Sequence, residues 1–272
     1  YERALALLGA DEGVEDAGVA SVLANLGNAL SDSGRSDAAL AVHRRALAIR
    51  LRTLGETHAD TAASRINVGG MLAERGLNEE ARTHYERALA VQEQTLGHDH
   101  PDVAATLNNL GILAASPEDA LAWYRRALAI QERALTPDDP ELATVLGNVA
   151  IAEETLGHHA RARALLERAL AIRTRVYGPE HPQTAYPLHN LGVIELNDRH
   201  FDRAITLLER ALRIRSDGPD ALLLASTQLS LAEALVASAG DRARARTLAR
   251  AARAAFAAAG QADHVAQADA LL

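Results

Sequence analysis

Arg168-Ala169-Leu170-Ala171-Ile172-Arg173 is a hexapeptide to which the chain returns at almost constant spacing. Near copies stand at Arg45-Ala46-Leu47-Ala48-Ile49-Arg50, Arg87-Ala88-Leu89-Ala90-Val91-Gln92, Arg126-Ala127-Leu128-Ala129-Ile130-Gln131 and Arg210-Ala211-Leu212-Arg213-Ile214-Arg215, with successive offsets of 42, 39, 42 and 42 residues. A fixed period of this size marks a stack of similar supersecondary units, each resting on its neighbours, so the fold question reduces to what one unit is. Alanine and leucine dominate, aromatic residues make up only 3%, and β-branched runs are few, all of which favour helices over strands.

Outward from the hexapeptide, each unit reads helix, tight turn, helix, loop. The first helix of the first unit is expected from about Val19 to Ser33, with a turn at Gly34 and a second helix from about Asp37 to Thr53. In that second helix Ala38, Ala39, Val42, Ala46 and Ile49 recur three and four apart and share one face. Corresponding turns fall at Gly76 and Gly157, where glycine supplies the left-handed conformation that ends a helix. The units are joined by loops such as Leu96-Gly97-His98-Asp99-His100-Pro101-Asp102 and Tyr177-Gly178-Pro179-Glu180-His181-Pro182, whose prolines suit the first turn of the following helix.

Five matched repeats are expected over 18–53, 59–95, 101–135, 140–176 and 182–215. A degenerate repeat over 219–258 and a capping helix over 262–272 complete a single array spanning 1–272. The third unit is three residues short. Gly111 precedes the equivalent alanine, Ala120, by nine positions, whereas Gly69 and Gly192 precede theirs by twelve, so its first helix should lack about one turn. Tyr1-Glu2-Arg3-Ala4-Leu5-Ala6 is identical to Tyr85-Glu86-Arg87-Ala88-Leu89-Ala90, so 1–8 are expected to be the end of a truncated repeat and the chain a portion of a larger protein.

All 28 basic residues are arginine against 36 acidic residues, for a net charge of -8, which argues against nucleic acid as the main partner. The absence of cysteine excludes disulfides and thiolate metal sites. No apolar run approaches the roughly 20 residues of a membrane-spanning helix, and a soluble, cytoplasmic protein without membrane association is expected. The missing lysine removes phosphate-binding-loop and kinase chemistry, and no nucleophile elbow or zinc-protease helix is present, so neither catalytic residues nor cofactors are expected.

Residue identities then carry a resemblance. Leu26-Gly27, Ala39 and Ala46 match the offsets of the tetratricopeptide repeat, as do Val68-Gly69, Ala81 and Ala88, and Leu110-Gly111, Ala120 and Ala127. Val149-Ala150, Ala162 and Ala169, with Leu191-Gly192, Ala204 and Ala211, complete the set. The chain resembles the long, kinesin-light-chain-like form of this repeat, as found in large bacterial signalling proteins. The resemblance implies an all-α, right-handed superhelical solenoid of antiparallel helix pairs, with small residues at the crossings allowing close helix approach. It also implies a protein–protein interaction scaffold that holds an extended segment in a concave groove lined by each unit's first helix. The partner would be a protein, a peptide or another domain of the same parent chain. A regulatory or oligomerisation module, or the substrate-recognition portion of an enzyme, is the alternative.

One polar position of the first helix recurs in register: Asn25, Asn67, Asn109, Asn148 and Asn190, with Gln228 as the sixth. Asparagine inside a helix costs about 0.5 kcal/mol relative to alanine, so the register needs a cause. A side-chain amide matches both the N–H and the C=O of a bound backbone; bonding between neighbouring helices is the competing explanation. Asn28, Asn108, Tyr186 and His189 extend the candidate groove. The positions beside the asparagines carry no cation, which points to a neutral groove for small or apolar side chains. His98 with His100, and His158 with His159, lack the accompanying ligands of a metal site. The arginines from Arg242 to Arg253 spread over several faces of a solvated helix.

Overall fold

The computed structural model describes residues 16–272, so the expected repeat end at 1–8 lies outside the described residues. Thirteen α-helices and no strand are found among the described residues. They fall in two compact units, one ending at Ala134 and the other running Leu135–Leu272.

The first unit holds α1 (Ala17–Asp32), α2 (Ser36–Thr53), α3 (Ala59–Ala73), α4 (Asn78–Leu96), α5 (Pro101–Ile112) and α6 (Pro117–Ala134). The second holds α7 (Pro140–Thr155), α8 (His159–Tyr177), α9 (Pro182–Asn197), α10 (Phe201–Ser216), α11 (Ala221–Ala237), α12 (Arg242–Ala258) and α13 (Ala262–Asp269). Within each unit every helix packs on the next, and in the second unit α9 also touches the first helices on either side, α7 and α11. Helix α5, with 12 residues, is the shortest of the first helices, and Ser116 closes the short connection by accepting from the Asp119 N–H at 3.1 Å.

The repeated hexapeptide lies in the second helix of each repeat and supplies its inner stripe. Ala46, Ala88, Ala127, Ala169 and Ala211 are fully buried or nearly so, and Ile49, Val91, Ile130, Ile172 and Ile214 are buried beside them. Each buried isoleucine or valine contributes about 1.5–3 kcal/mol of transfer free energy, which is where most of the helical stability comes from.

The glycine that four of the first helices carry has a more specific job than general close approach. A Cβ on Gly27 would stand 2.5 Å from the His43 ring, one on Gly69 2.9 Å from Tyr85, one on Gly111 2.4 Å from Tyr124, and one on Gly192 2.6 Å from Leu208. Glycine thus makes room for a large side chain of the paired second helix, rather than letting two backbones meet.

The loop histidines cap helices. Nδ1 of His58, His100 and His181 accepts the N–H of Asp60, Asp102 and Gln183 at 3.1, 3.2 and 3.2 Å, and Asp139 does the same for Glu141 at 2.8 Å. Each satisfies an orphan donor of a helix start, with proline as the first helical residue in three of the four. At the far end, His264 stacks on Phe256 with ring centroids 4.6 Å apart, and Ala268 is buried against the Phe256 cluster.

Candidate functional site

The asparagine register is only partly exposed to solvent. Asn25 and Asn28 are exposed, while Asn67, Asn108, Asn109, Asn148, Asn190, Gln228, Tyr186 and His189 are half-buried. In the first unit, Asn28, Asn67 and Asn109 converge on one open cavity of about 390 Å3, together with Ile66, Gly70 and Met71. Asn25 and Asn108 do not line it. Tyr85 and His43, the residues that fill the glycine notches, form part of its lining.

In the second unit, a cavity of about 410 Å3 is lined by Thr144 and Asn148 of α7, Gln183 and Tyr186 of α9, and Leu223 of α11. Asn190, His189 and Gln228 lie outside it. The His189 ring packs inward, 3.3 Å from Thr227 Oγ1, and burial with the nearby Arg215 charge pushes its pKa down to about 3. The buried side-chain nitrogen of Asn190 faces the Tyr186 hydroxyl without a well-formed hydrogen bond.

Two cations in this cavity stand apart from the first-helix positions considered in the sequence. Arg173 and Arg215, the last residues of two copies of the hexapeptide, both line it. Arg173 donates to the Gln183 carbonyl at 2.9 Å and to Thr144 Oγ1 at 3.3 Å, and its guanidinium lies 5.6 Å from the centroid of the Tyr186 ring. Arg215 donates to the Leu223 carbonyl at 2.8 Å and to Thr227 Oγ1 at 2.5 Å. Burial raises the Tyr186 hydroxyl pKa, and the charges of Arg173 and Arg215 partly offset it. The available signal was the hexapeptide's own sixth position, which reads Arg50, Gln92, Gln131, Arg173 and Arg215. An arginine in a helix's last turns ordinarily reads as solvated, so the position attracts no notice without the tertiary contact.

Several other histidines and cations are engaged locally. His158 and His159 pair with Glu153 at 2.7 Å and Asp198 at 2.5 Å, and His98 lies 3.5 Å from Glu93. Among the described residues, no group of three or more His, Cys, Asp or Glu side chains could hold a metal ion. Arg65, one position off the groove, is buried and bonded to Glu56 at 3.1 Å. Arg244 and Arg253 of α12 pair with Glu209 and Asp269, each at 2.5 Å.

Two family models, both described as tetratricopeptide repeat, match the chain, one over residues 19–60 and the other over 60–119, 114–174 and 159–217. The chain belongs to the tetratricopeptide repeat family. No curated protein matches it. Among solved structures, this tetratricopeptide array is similar to BtubC (BKLC) from P. vanneervenii at 23% identity and a TM-score of 0.64, over 85% of this chain and 91% of that one. It is also similar to the kinesin-light-chain-type TPR-like repeats of Podosopora anserina, at 24% identity and a TM-score of 0.60, over 74% and 98% of the two chains. The Rap protein complexed with competence and sporulation factor matches at 15% identity and a TM-score of 0.63, over 94% and 72%. These likenesses show the fold. Tetratricopeptide repeat proteins are in general scaffolds for protein–protein interaction. No helix among the described residues is long and apolar enough to cross a membrane.

Proposed function

We propose that this tetratricopeptide array binds an extended segment of a partner protein along the asparagine-bearing face of its first helices, with the asparagine register holding the segment's backbone. The observation that carries this reading is the convergence of Asn28, Asn67 and Asn109 on one cavity of the first unit, while Asn148 lines a cavity of the second. An amide at each step offers one donor and one acceptor, which is what an extended backbone presents in return. Ile112 and Ile151, on the same register, are 61% and 41% exposed. Apolar side chains left in water beside a row of amides suit a segment with small or apolar side chains of its own. The chemistry on this face is that of recognition, and the chain acts as a non-catalytic scaffold.

The test is selection of a random peptide display library on the wild-type chain and on the Asn109→Ala, Asn148→Ala double variant, once the two are shown to melt alike. Loss of the enriched peptides in the variant supports the register as the backbone-holding element. Enrichment that survives both substitutions would sink it.

A further inference from the structure

The second repeat carries polar residues at two positions that are apolar in the four other matched repeats. Two residues before the register asparagine, those repeats have Leu23, Leu107, Leu146 and Leu188, all buried, where α3 has Arg65, buried as well. Three residues before the hexapeptide arginine they have Val42, Trp123, Leu165 and Leu207, where α4 has His84. The His84 ring is half-buried, and its Nδ1 is closed off from solvent with no hydrogen-bond partner. A buried guanidinium and an unsatisfied ring nitrogen both cost stability relative to the apolar side chains of the other repeats. Packing therefore gives no reason for either.

Charged groups converge on His84 from three helices. Glu80, His84 and Arg87 stand four and three residues apart on one face of α4. Arg44 of α2 reaches Glu80 at 3.6 Å, and Arg65 of α3 is bonded to Glu56 at 3.1 Å. Arg87 is exposed and makes no ion pair among the described residues. The next hexapeptide arginine, Arg126, pairs with Glu93, six residues beyond the arginine of the repeat before it; the residue at that place for Arg87 is Leu51. Burial lowers the His84 pKa, and the charges of Arg65, Arg87 and Arg44 lower it further against the opposing pull of Glu80. Burial lowers that of Arg65 too, with Glu56 opposing and Arg87 adding to the effect.

Three guanidiniums thus face two carboxylates, Glu56 and Glu80, with a neutral imidazole among them. The surplus is one positive charge, and two once His84 takes a proton, which is the complement of a dianion. Arg44 is 54% exposed in its pair with Glu80, and such a surface contact is weak enough to exchange for a stronger acceptor. A phosphate monoester brings two charges and three acceptor oxygens, which guanidiniums meet in charge-assisted pairs. We propose that Arg87 and Arg44, backed by Arg65 and His84, bind the phosphate group of a monoester where α2, α3 and α4 meet. The group belongs either to a free phosphate ester or to a phosphorylated side chain of a partner. None of the four residues lines a cavity of the asparagine register, so the site stands independently of the extended-segment reading.

The experiment titrates the chain at pH 7 and constant ionic strength with inorganic phosphate, with a capped phosphoserine tripeptide and with acetate, following the ring resonances of His84 by NMR. At least one phosphate probe is expected to saturate the shift, with acetate tenfold weaker or more. The His84 pKa is expected to rise in the saturated complex, because a bound anion opposes the arginine charges. Arg87→Gln should weaken binding tenfold or more, whereas Arg210→Gln, the same hexapeptide position in the second unit, should bind as wild type does. Arg65→Leu with His84→Leu installs an apolar side chain at both positions; it is expected to melt no lower than wild type and, by calorimetry, to lose the phosphate. Should that double variant fold poorly, the exposed Arg87 carries the test alone. Saturation by the tripeptide only assigns the site to a phosphorylated side chain, by inorganic phosphate only to a free phosphate, and by both to the shared group; each supports the proposal. No saturation by either phosphate probe, acetate acting as strongly as phosphate, or full binding in Arg87→Gln overturns it.

Discussion

Arg173 donates to the backbone carbonyl of Gln183, the carbonyl that Pro187 leaves without its helical partner. Proline four residues on has no N–H to return to that oxygen, and interior proline ordinarily costs a helix about 3 kcal/mol. The guanidinium of the preceding second helix fills the vacancy from outside α9. Arg173→Gln is therefore expected to destabilise the second unit by about 1–3 kcal/mol, by stranding a buried acceptor and the Thr144 contact. The loss should be smaller in a Pro187→Ala background, where the alanine N–H can bond Gln183. A double-mutant cycle by urea denaturation measures that coupling, and strict additivity would refute it.

The glycine notches make a second prediction. Gly111→Ala puts a Cβ 2.4 Å from the Tyr124 ring and is expected to cost about 1–3 kcal/mol by overpacking. The fourth repeat shows the compatible alternative, because Ala150 there sits in one cluster with Leu166. Adding Tyr124→Leu to Gly111→Ala should recover part of the loss, read as a rise in melting temperature over the single variant.

Backbone strain at the intra-repeat turns makes a third. Gly34, Gly76 and Gly157 hold φ near +75°, but Ala239 occupies the corresponding place at +56°. A Cβ in that region costs about 1–2 kcal/mol, against about 0.5–1 kcal/mol for the extra freedom glycine loses on folding. Ala239→Gly is expected to stabilise by up to about 1 kcal/mol, visible as a melting temperature a few degrees higher. An unchanged or lower value would show that the turn carries no such strain.

Acid sensitivity should be spread over two windows. His189 is held neutral, with its pKa pushed down to about 3 by burial and the Arg215 charge. The unfolded chain takes up a proton below about 6.5 while the folded one does not, so stability falls as pH drops from there toward 3. Between pH 6.5 and 5 this amounts to roughly 2 kcal/mol. Burial lowers His43 and His84 in the same direction in the first unit. Glu195, whose pKa is lowered by its bonds to His200 and Arg163 against the opposing effect of burial, holds stability above the usual carboxylate range and gives it up only at lower pH. Urea denaturation at pH 7 and pH 5 with His189→Gln tests the first window: the variant should lose less between the two values than wild type. An identical loss would assign the sensitivity elsewhere.

The sequence by itself determined the repeat, its helix pairs and the places where the chain turns. These depend on local chemistry: a 3.6-residue apolar stripe such as Ala39, Ala46 and Ile49, a glycine at a left-handed turn, and a proline at a helix start. The asparagine register was legible for the same reason, since equivalent positions in successive repeats can be counted directly. Tertiary structure decided what such counting cannot reach. His58, His100 and His181 look like scattered polar loop residues until a helix start turns its N–H toward each ring. Arg173 and Arg215 look like solvated ends of their helices until the next repeat folds back over them, because burial of a charge depends on what packs against it and local sequence does not record that contact.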